Sequence, residues 1–242
     1  MRLSARAADR GWRLDGVKPW CSLADRLSHA LVTAWVDEDR RGLFLVDLRA
    51  PGVDTSADAW HAVGLPDLVS ARVTFADVAA VPVGDPGWYL QRDGFAWGGI
   101  GVAAVWYGGA VGLAGRLAAA SRRREPDQVA LVHLGAVDTA LHAARTALEA
   151  AAAAIDAGDA GGSAGSLLAA RTRQIVADAA ETTLRHVDHA LGPGPLAGEA
   201  EHAARVADLH LYLRQHHAER DLAALGRDVL DRGLLDLPED SR

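Results

Sequence analysis

The chain has 242 residues, of which 50% are hydrophobic and 24% are charged, the composition of a globular protein with one large or two modest domains. Its net charge of −7, with no basic stripe, excludes a typical nucleic-acid-binding surface. The single cysteine, Cys21, excludes an internal disulfide, and the charged N-terminus is unlike a signal peptide, so we expect a cytoplasmic protein.

The first third of the chain is predicted to be a β-domain. Short apolar runs separated by turn residues predict strands over residues 3–7, 12–14, 29–36, 43–48 and 71–75. Asp15-Gly16 is typical of a tight turn, and the polar residues 37–42 are typical of a hairpin connection. We therefore predict a small, predominantly antiparallel β-domain over residues 1–86.

The remaining residues, 87–242, are predicted to form a bundle of four or five helices. One apolar stripe with spacings of three and four consists of Leu134, Val137, Leu141, Ala144 and Leu148. A second, less regular stripe consists of Leu168, Ile175, Ala179, Thr183, Val187 and Leu191. Breaks are predicted at residues 124–127, 158–165 and 192–195, which are rich in Gly and Pro or polar side chains. The predicted fold class is α+β.

The uncharged segment 94–115 is long enough to cross a bilayer, and Gly108-x-x-x-Gly112 resembles a transmembrane dimer motif. Because Gly and Ala dilute its hydrophobicity, and because the chain has no second span of this kind, we predict a helix buried on all sides. We therefore expect no membrane association.

Three short motifs lack the context that their chemistry requires. Residues 161–165 match Gly-x-Ser-x-Gly, but helical sequence surrounds them where a hydrolase needs a strand, which predicts an interhelical loop. Residues 99–104 match a dinucleotide fingerprint without a βαβ unit around them. The histidines at 186, 189, 210, 216 and 217 lack the convergent ligands of a zinc site, so no metal is predicted.

Residues 16–22, Gly-Val-Lys-Pro-Trp-Cys-Ser, resemble the Gly-x-Lys-x-Trp-x-Thr/Ser segment of acyl-CoA dehydrogenases. Further segments resemble the same family at 60–64, 70–78, 109–114 and 208–221. In that family the first segment follows a helical N-terminal domain and a Thr-Glu loop. The resemblance thus implies the middle and C-terminal domains of such a protein, without the N-terminal helical domain.

The resemblance implies a site for FAD. Trp20 matches the Trp that walls the flavin ring, and Ser22 matches the hydroxyl residue near flavin N5. Arg122 and Arg124 lie where the family places an Arg that reaches the FAD pyrophosphate of a neighbouring subunit, and Arg220 is a further candidate contact. A last group replaces the family's Gln-x-x-Gly-Gly-x-Gly beside the adenosine diphosphate, and it comprises His189, Gly192 and Gly194.

The catalytic base implied by the resemblance is Glu219, one residue after the family position, which Ala218 occupies. The implied function is an FAD-dependent oxidoreductase acting on the CH–CH group of an acyl thioester. A homo-oligomer is implied, because the FAD contacts come from two subunits.

Two alternatives remain open at this point. One is a flavin-dependent monooxygenase, in which His216 or His217 serves the chemistry. The other is a non-catalytic subunit or partner of a full-length paralogue, or a chain whose true start lies upstream.

Overall fold

The computed structural model describes residues 2–55 and 60–235, and it divides between Phe95 and Ala96 into two compact units. Within the described residues, the first unit contains six strands and a short helix. Their bounds are β1 (Ser4–Ala7), β2 (Trp12–Lys18), β3 (His29–Trp35), β4 (Arg41–Asp47), β5 (Val53–Asp54), β6 (Val73–Val83) and α1 (Trp88–Gln91).

The strands lie in the order β2-β1-β3-β4-β6-β5, and β2 also pairs with β6, so that five strands close into a barrel. The pairs are antiparallel except β1–β3, which agrees with the predicted β-domain. The two-residue period of a strand is clear at the start of β6, where Val73 and Phe75 are buried and Thr74 between them is half-buried. Phe44 and Phe75 are the largest of the inward side chains that are fully buried.

The predicted turn at Asp15-Gly16 is wrong, because β2 continues through it to Lys18. The register against β6 shifts between Leu14 and Gly16, which marks a β-bulge. Gly16 has a φ of 115°, and a Cβ there would lie 2.4 Å from the Arg2 carbonyl oxygen. A glycine at this position therefore permits a bulge as well as a turn.

The second unit is helical. Its helices are α2 (Asp93–Arg123), which begins in the first unit, α3 (Gln128–Asp156), α4 (Gly162–Leu191), α5 (Pro193–Gly198), α6 (Ala200–Leu213) and α7 (Glu219–Asp231). Five of these six have 13 residues or more, which fits the predicted bundle of four or five helices. The Gly-x-Ser-x-Gly residues lie mostly in the first turn of α4 rather than in a loop.

The apolar core of this unit is formed by α2, α3, α4 and α6 around Trp106, which is fully buried. The predicted stripe on α3 packs into this core. On α4 the prediction was wrong at Ile175, which is exposed, whereas its neighbour Val176 is buried. The irregular spacing of the α4 stripe had left this register poorly defined.

The prediction that residues 94–115 are buried on all sides is also wrong. Within the described residues, α2 is the one helix long and apolar enough to cross a membrane, but only 33% of its most apolar stretch is buried. Its buried face, with Ala103, Trp106 and Ala110, belongs to the bundle core. Length and composition are therefore weak evidence for a span here, since core helices meet the same criteria.

Candidate functional site

The segment after β2 presents an exposed tryptophan on the β-unit. Trp20 has a φ of 60° and is 75% exposed, and its ring meets the edge of Trp60 at 6.4 Å between centroids. Backbone hydrogen bonds on both sides hold the segment, from Cys21 N to Ala71 O at 2.9 Å and from Leu23 N to Val69 O at 2.7 Å. The indole is thus presented on a fixed backbone rather than packed in the core.

Hydroxyl and amine groups lie near this tryptophan in the sequence. Ser22 is exposed, and its Oγ lies 2.7 Å from the Oγ of Ser70. Lys18 Nζ donates to Thr33 Oγ1 at 2.7 Å, and burial lowers the pKa of this amine. Burial also raises the pKa of the Cys21 thiol, which therefore favours the neutral form.

The helical unit contains an open cleft of about 320 Å³ between the end of α2, the start of α3 and the end of α4. Two of the sequence-predicted residues, Arg124 and His189, line the cleft together although 65 residues separate them in the sequence. Ser121 and His133 also line it. The cleft therefore combines a guanidinium and two imidazoles, which can donate hydrogen bonds to an anion, with the carboxylates of Glu125 and Asp127. The Ser121 hydroxyl donates to Leu117 O at 3.2 Å.

The other predicted contacts of this group lie outside the cleft lining. Arg122 is exposed in the last turn of α2. Gly192 ends α4 with a φ of 66°, and Gly194 follows in α5. A Cβ at either glycine would meet nothing within 4 Å, so packing inside the chain does not require glycine there.

The turn between α6 and α7 holds a polar cluster around His216, which is 8% exposed. Its Nδ1 lies 2.9 Å from Asp221 Oδ2, and its Nε2 lies 3.0 Å from Gln174 Oε1 on α4. Gln174 Nε2 donates to Asp178 at 2.9 Å, which fixes the orientation of the amide. Both ring nitrogens of His216 therefore have hydrogen-bonding partners, one on α7 and one on α4.

Asp221 accepts hydrogen bonds from two successive histidines. Burial alone raises the pKa of its carboxyl group, but the hydrogen bonds from the His217 backbone N–H, at 3.1 Å, and from the His216 ring lower it overall. Arg173 lies on the same side, with its guanidinium 4.7 Å from the Trp106 ring centroid, and donates to Gly99 O at 2.8 Å. Burial lowers the pKa of Arg173.

The predicted base Glu219 and its neighbour Arg220 lie at the start of α7, beside this cluster in the sequence, and both are exposed. Reasoning from the sequence missed Gln174, Arg173 and Trp106, which come from α4 and α2 and carry no local signal. The spacing from His217 to Asp221, four residues, was the one available hint for Asp221. Among the described residues, no group of three or more His, Cys, Asp or Glu side chains could hold a metal ion.

The sequence matches no protein-family model and no curated protein. The structure, however, is similar to an acyl-CoA dehydrogenase from Slackia heliotrinireducens, with a TM-score of 0.80 and 19% identity over 98% of this chain and 65% of that one. It is also similar to butyryl-CoA dehydrogenase from Megasphaera elsdenii, with a TM-score of 0.81 and 20% identity over 95% of this chain and 63% of that one.

A third similar structure is dibenzothiophene monooxygenase from Paenibacillus sp. A11-2, with a TM-score of 0.72 and 18% identity over 96% of this chain and 68% of that one. This chain thus spans slightly less than two thirds of the length of the two dehydrogenases. At these identities the comparisons define the fold alone. They confirm the predicted fold of a β-domain followed by a helical bundle.

Proposed function

Because the chain has the fold of the middle and C-terminal domains of acyl-CoA dehydrogenases, we propose that it binds FAD and oxidises the CH–CH group of an acyl thioester. The observation that carries this proposal is Trp20, a large indole that is 75% exposed and held by a fixed backbone. An exposed aromatic face of this kind suits stacking against a flat ring system. Bound FAD would supply the hydride acceptor.

The residues of the chain fit FAD in two places. On the β-unit, the Ser22 hydroxyl lies two residues from Trp20 and can donate to a ring nitrogen once it turns away from Ser70 Oγ. In the helical unit, the cleft with Arg124 and His189 suits the pyrophosphate, because a guanidinium forms bidentate hydrogen bonds with phosphate oxygens. We propose that the protein is a cytoplasmic homo-oligomer in which each FAD contacts the β-unit of one subunit and the cleft of another.

Arg122, Gly192, Gly194 and Arg220 remain part of the proposed cofactor site. Arg122 lies two residues before Arg124, Gly192 and Gly194 closely follow His189, and Arg220 follows the predicted base Glu219. A Cβ at Gly192 or Gly194 would meet nothing within 4 Å, which leaves room for a ligand to approach the backbone there and supports a role in cofactor binding. None of these four residues lines the cleft, whereas Arg124 does.

We propose Glu219 as the base that removes the α-proton of the thioester. Its exposure at the N-terminus of α7 leaves its carboxylate accessible to a substrate. Asp221 is less suited to this role, because two hydrogen bonds from histidines hold its carboxylate and lower its pKa.

The test is the visible spectrum of the purified full chain after gel filtration. The proposal predicts a bound flavin spectrum that is lost in Trp20→Ala but kept in the control Trp88→Ala, a half-exposed tryptophan of the same unit. Arg124→Ala is expected to weaken FAD binding more than Arg122→Ala does. A colourless wild-type protein that also fails to bind added FAD would overturn the proposal and favour a non-catalytic partner.

A flavin-dependent monooxygenase is the second candidate function. It is favoured by the buried His216 on the α6–α7 turn, together with the similarity to dibenzothiophene monooxygenase. Anaerobic addition of acyl-CoA thioesters distinguishes the two functions. Bleaching of the flavin absorbance supports the dehydrogenase. The monooxygenase is supported if acyl-CoA causes no bleaching and if the protein with reduced flavin hydroxylates an added aromatic substrate in the presence of oxygen.

A further inference from the structure

Three histidines converge beside the cleft at the ends of α2 and α4. His133 Nδ1, on α3, lies 2.8 Å from His186 Nδ1, on α4. The rings of His133 and His189 meet edge to face with centroids 6.0 Å apart. His133 and His189 line the cleft, while His186 lies behind His133.

The hydrogen bonds of His186 determine which nitrogen of His133 carries the proton. Arg185 Nη2 lies 3.5 Å from His186 Nε2, and a guanidinium can only donate. His186 Nε2 must therefore accept, and the neutral ring then carries its proton on Nδ1. That proton is donated to His133 Nδ1, so the neutral His133 ring carries its own proton on Nε2.

The neutral form of His186 is favoured by its surroundings. Burial, followed by the charges of Arg185, His133 and His189, lowers the pKa of His186. The chain of hydrogen bonds from Arg185 through His186 to His133 therefore needs no charge on His186 near neutral pH. Since Nδ1 of His133 is engaged, Nε2–H is its polar group available to a ligand in the cleft.

We propose that His133 is a phosphate-binding residue of the cleft, oriented by His186 and Arg185 to donate Nε2–H beside Arg124 and His189. The inference rests on the proposed function, because the phosphate would be that of the nucleotide half of FAD. The carboxylates of Glu125 and Asp127 also line the cleft and oppose anion binding, which the Arg124 guanidinium and the histidine donors must offset. Asp127 uses its Oδ1 to cap α3 by accepting from Ala130 N at 2.8 Å, and Glu125 is exposed.

The first measurement is independent of any ligand. Two-dimensional ¹⁵N–¹H NMR of the histidine side chains in the full chain reports which ring nitrogen is protonated. The proposal predicts the Nε2–H tautomer for His133 and the Nδ1–H tautomer for His186 at pH 7.5, and a mixture for His133 in His186→Leu. An Nδ1–H tautomer of His133 in the wild-type protein overturns this chain of hydrogen bonds.

The second measurement is the affinity for ADP by calorimetry at pH 7.5. His133→Leu is expected to bind ADP about tenfold more weakly, since it loses a hydrogen bond to a charged group. His133→Gln places an amide N–H near the position of Nε2 and is expected to stay within about threefold of wild type. The control is His142→Leu, an exposed histidine on the same helix that lies outside the cleft lining.

The outcomes separate this inference from the proposed function. If FAD binds and His133→Leu has the affinity of His142→Leu, the role of His133 is refuted while the flavoprotein proposal stands. If ADP binds with the predicted loss but FAD does not bind, His133 is a phosphate ligand and the flavoprotein proposal fails. If wild-type protein binds neither, both fail.

Discussion

The hydrogen bonds between His216 and its partners are expected to stabilise the α6–α7 turn, and a double-mutant cycle at His216 and Asp221 tests this. His216→Leu removes the ring contacts with Asp221 Oδ2 and Gln174 Oε1, which lie 2.9 and 3.0 Å from the two ring nitrogens. A neutral hydrogen bond contributes about 1 kcal/mol and one to a charged group about 1.5–3 kcal/mol. Because the Asp221 side chain is 36% exposed, water offsets part of its loss.

We therefore expect His216→Leu to lower the free energy of unfolding by about 2 kcal/mol and Asp221→Asn by about 1 kcal/mol. The coupling between the two changes is expected to be about 1 kcal/mol, because each single variant already breaks the shared contact. Hydrogen exchange of peptides that cover residues 214–221 measures the effect locally. A local probe is needed because a chain with two units need not unfold in one step.

The control cycle uses the ion pair between Arg214 and Glu181, which also joins this turn to α4 but whose side chains are 55% and 57% exposed. An exposed pair of this kind is expected to show a coupling of about 0.5 kcal/mol or less. If the His216–Asp221 coupling does not exceed that of the control pair, the reasoning from burial and hydrogen bonding is refuted.

Three further predictions concern stability. Gly16→Ala is expected to destabilise the β-unit by about 2 kcal/mol or more in urea unfolding, because φ is 115° and the added Cβ meets the Arg2 carbonyl, and an unchanged midpoint would contradict this. Gly108 lies within α2, and a Cβ added there would meet nothing within 4 Å. Gly108→Ala is therefore expected to be neutral or to raise the free energy of unfolding by up to about 1 kcal/mol. A clear loss of stability would show that this face of the helix is packed. Because the pKa of His186 is lowered, the folded protein binds fewer protons at this ring than the unfolded chain does. The resulting stabilisation is complete above the ordinary pKa of 6.5 and is lost as the pH falls from there through the lowered pKa. Urea midpoints between pH 7.5 and 5 should accordingly fall less in His186→Gln than in wild type, and parallel curves would contradict the sign.

Local sequence was sufficient for most of the fold because strands and helices have their own periods. The alternation of Val73, Thr74 and Phe75 at the start of β6 and the spacings of three and four in α3 both correspond to buried faces. Local sequence was insufficient where a residue type serves several geometries. Gly16 is compatible with a turn or a bulge, and only the pairing of β2 with β6 selects the bulge.

The candidate site shows the same division. The resemblance led to Arg124 and His189 separately, but their common cleft arises from the packing of α2, α3 and α4. The sequence alone did not decide whether Trp20 is buried or exposed, because a tryptophan in a β-domain can be either. Its exposure follows from the pairing of its neighbours Cys21 and Leu23 with residues 69 and 71, far along the chain.

By itself, the sequence determined the order of a β-domain and a helical bundle, since element type depends on periodicity and turn residues within short windows. Tertiary structure alone decided which polar side chains meet. The hydrogen bond between His133 and His186 and the one between His216 and Gln174 each join residues more than 40 positions apart. Such contacts depend on how helices pack, and no local pattern in the sequence encodes them.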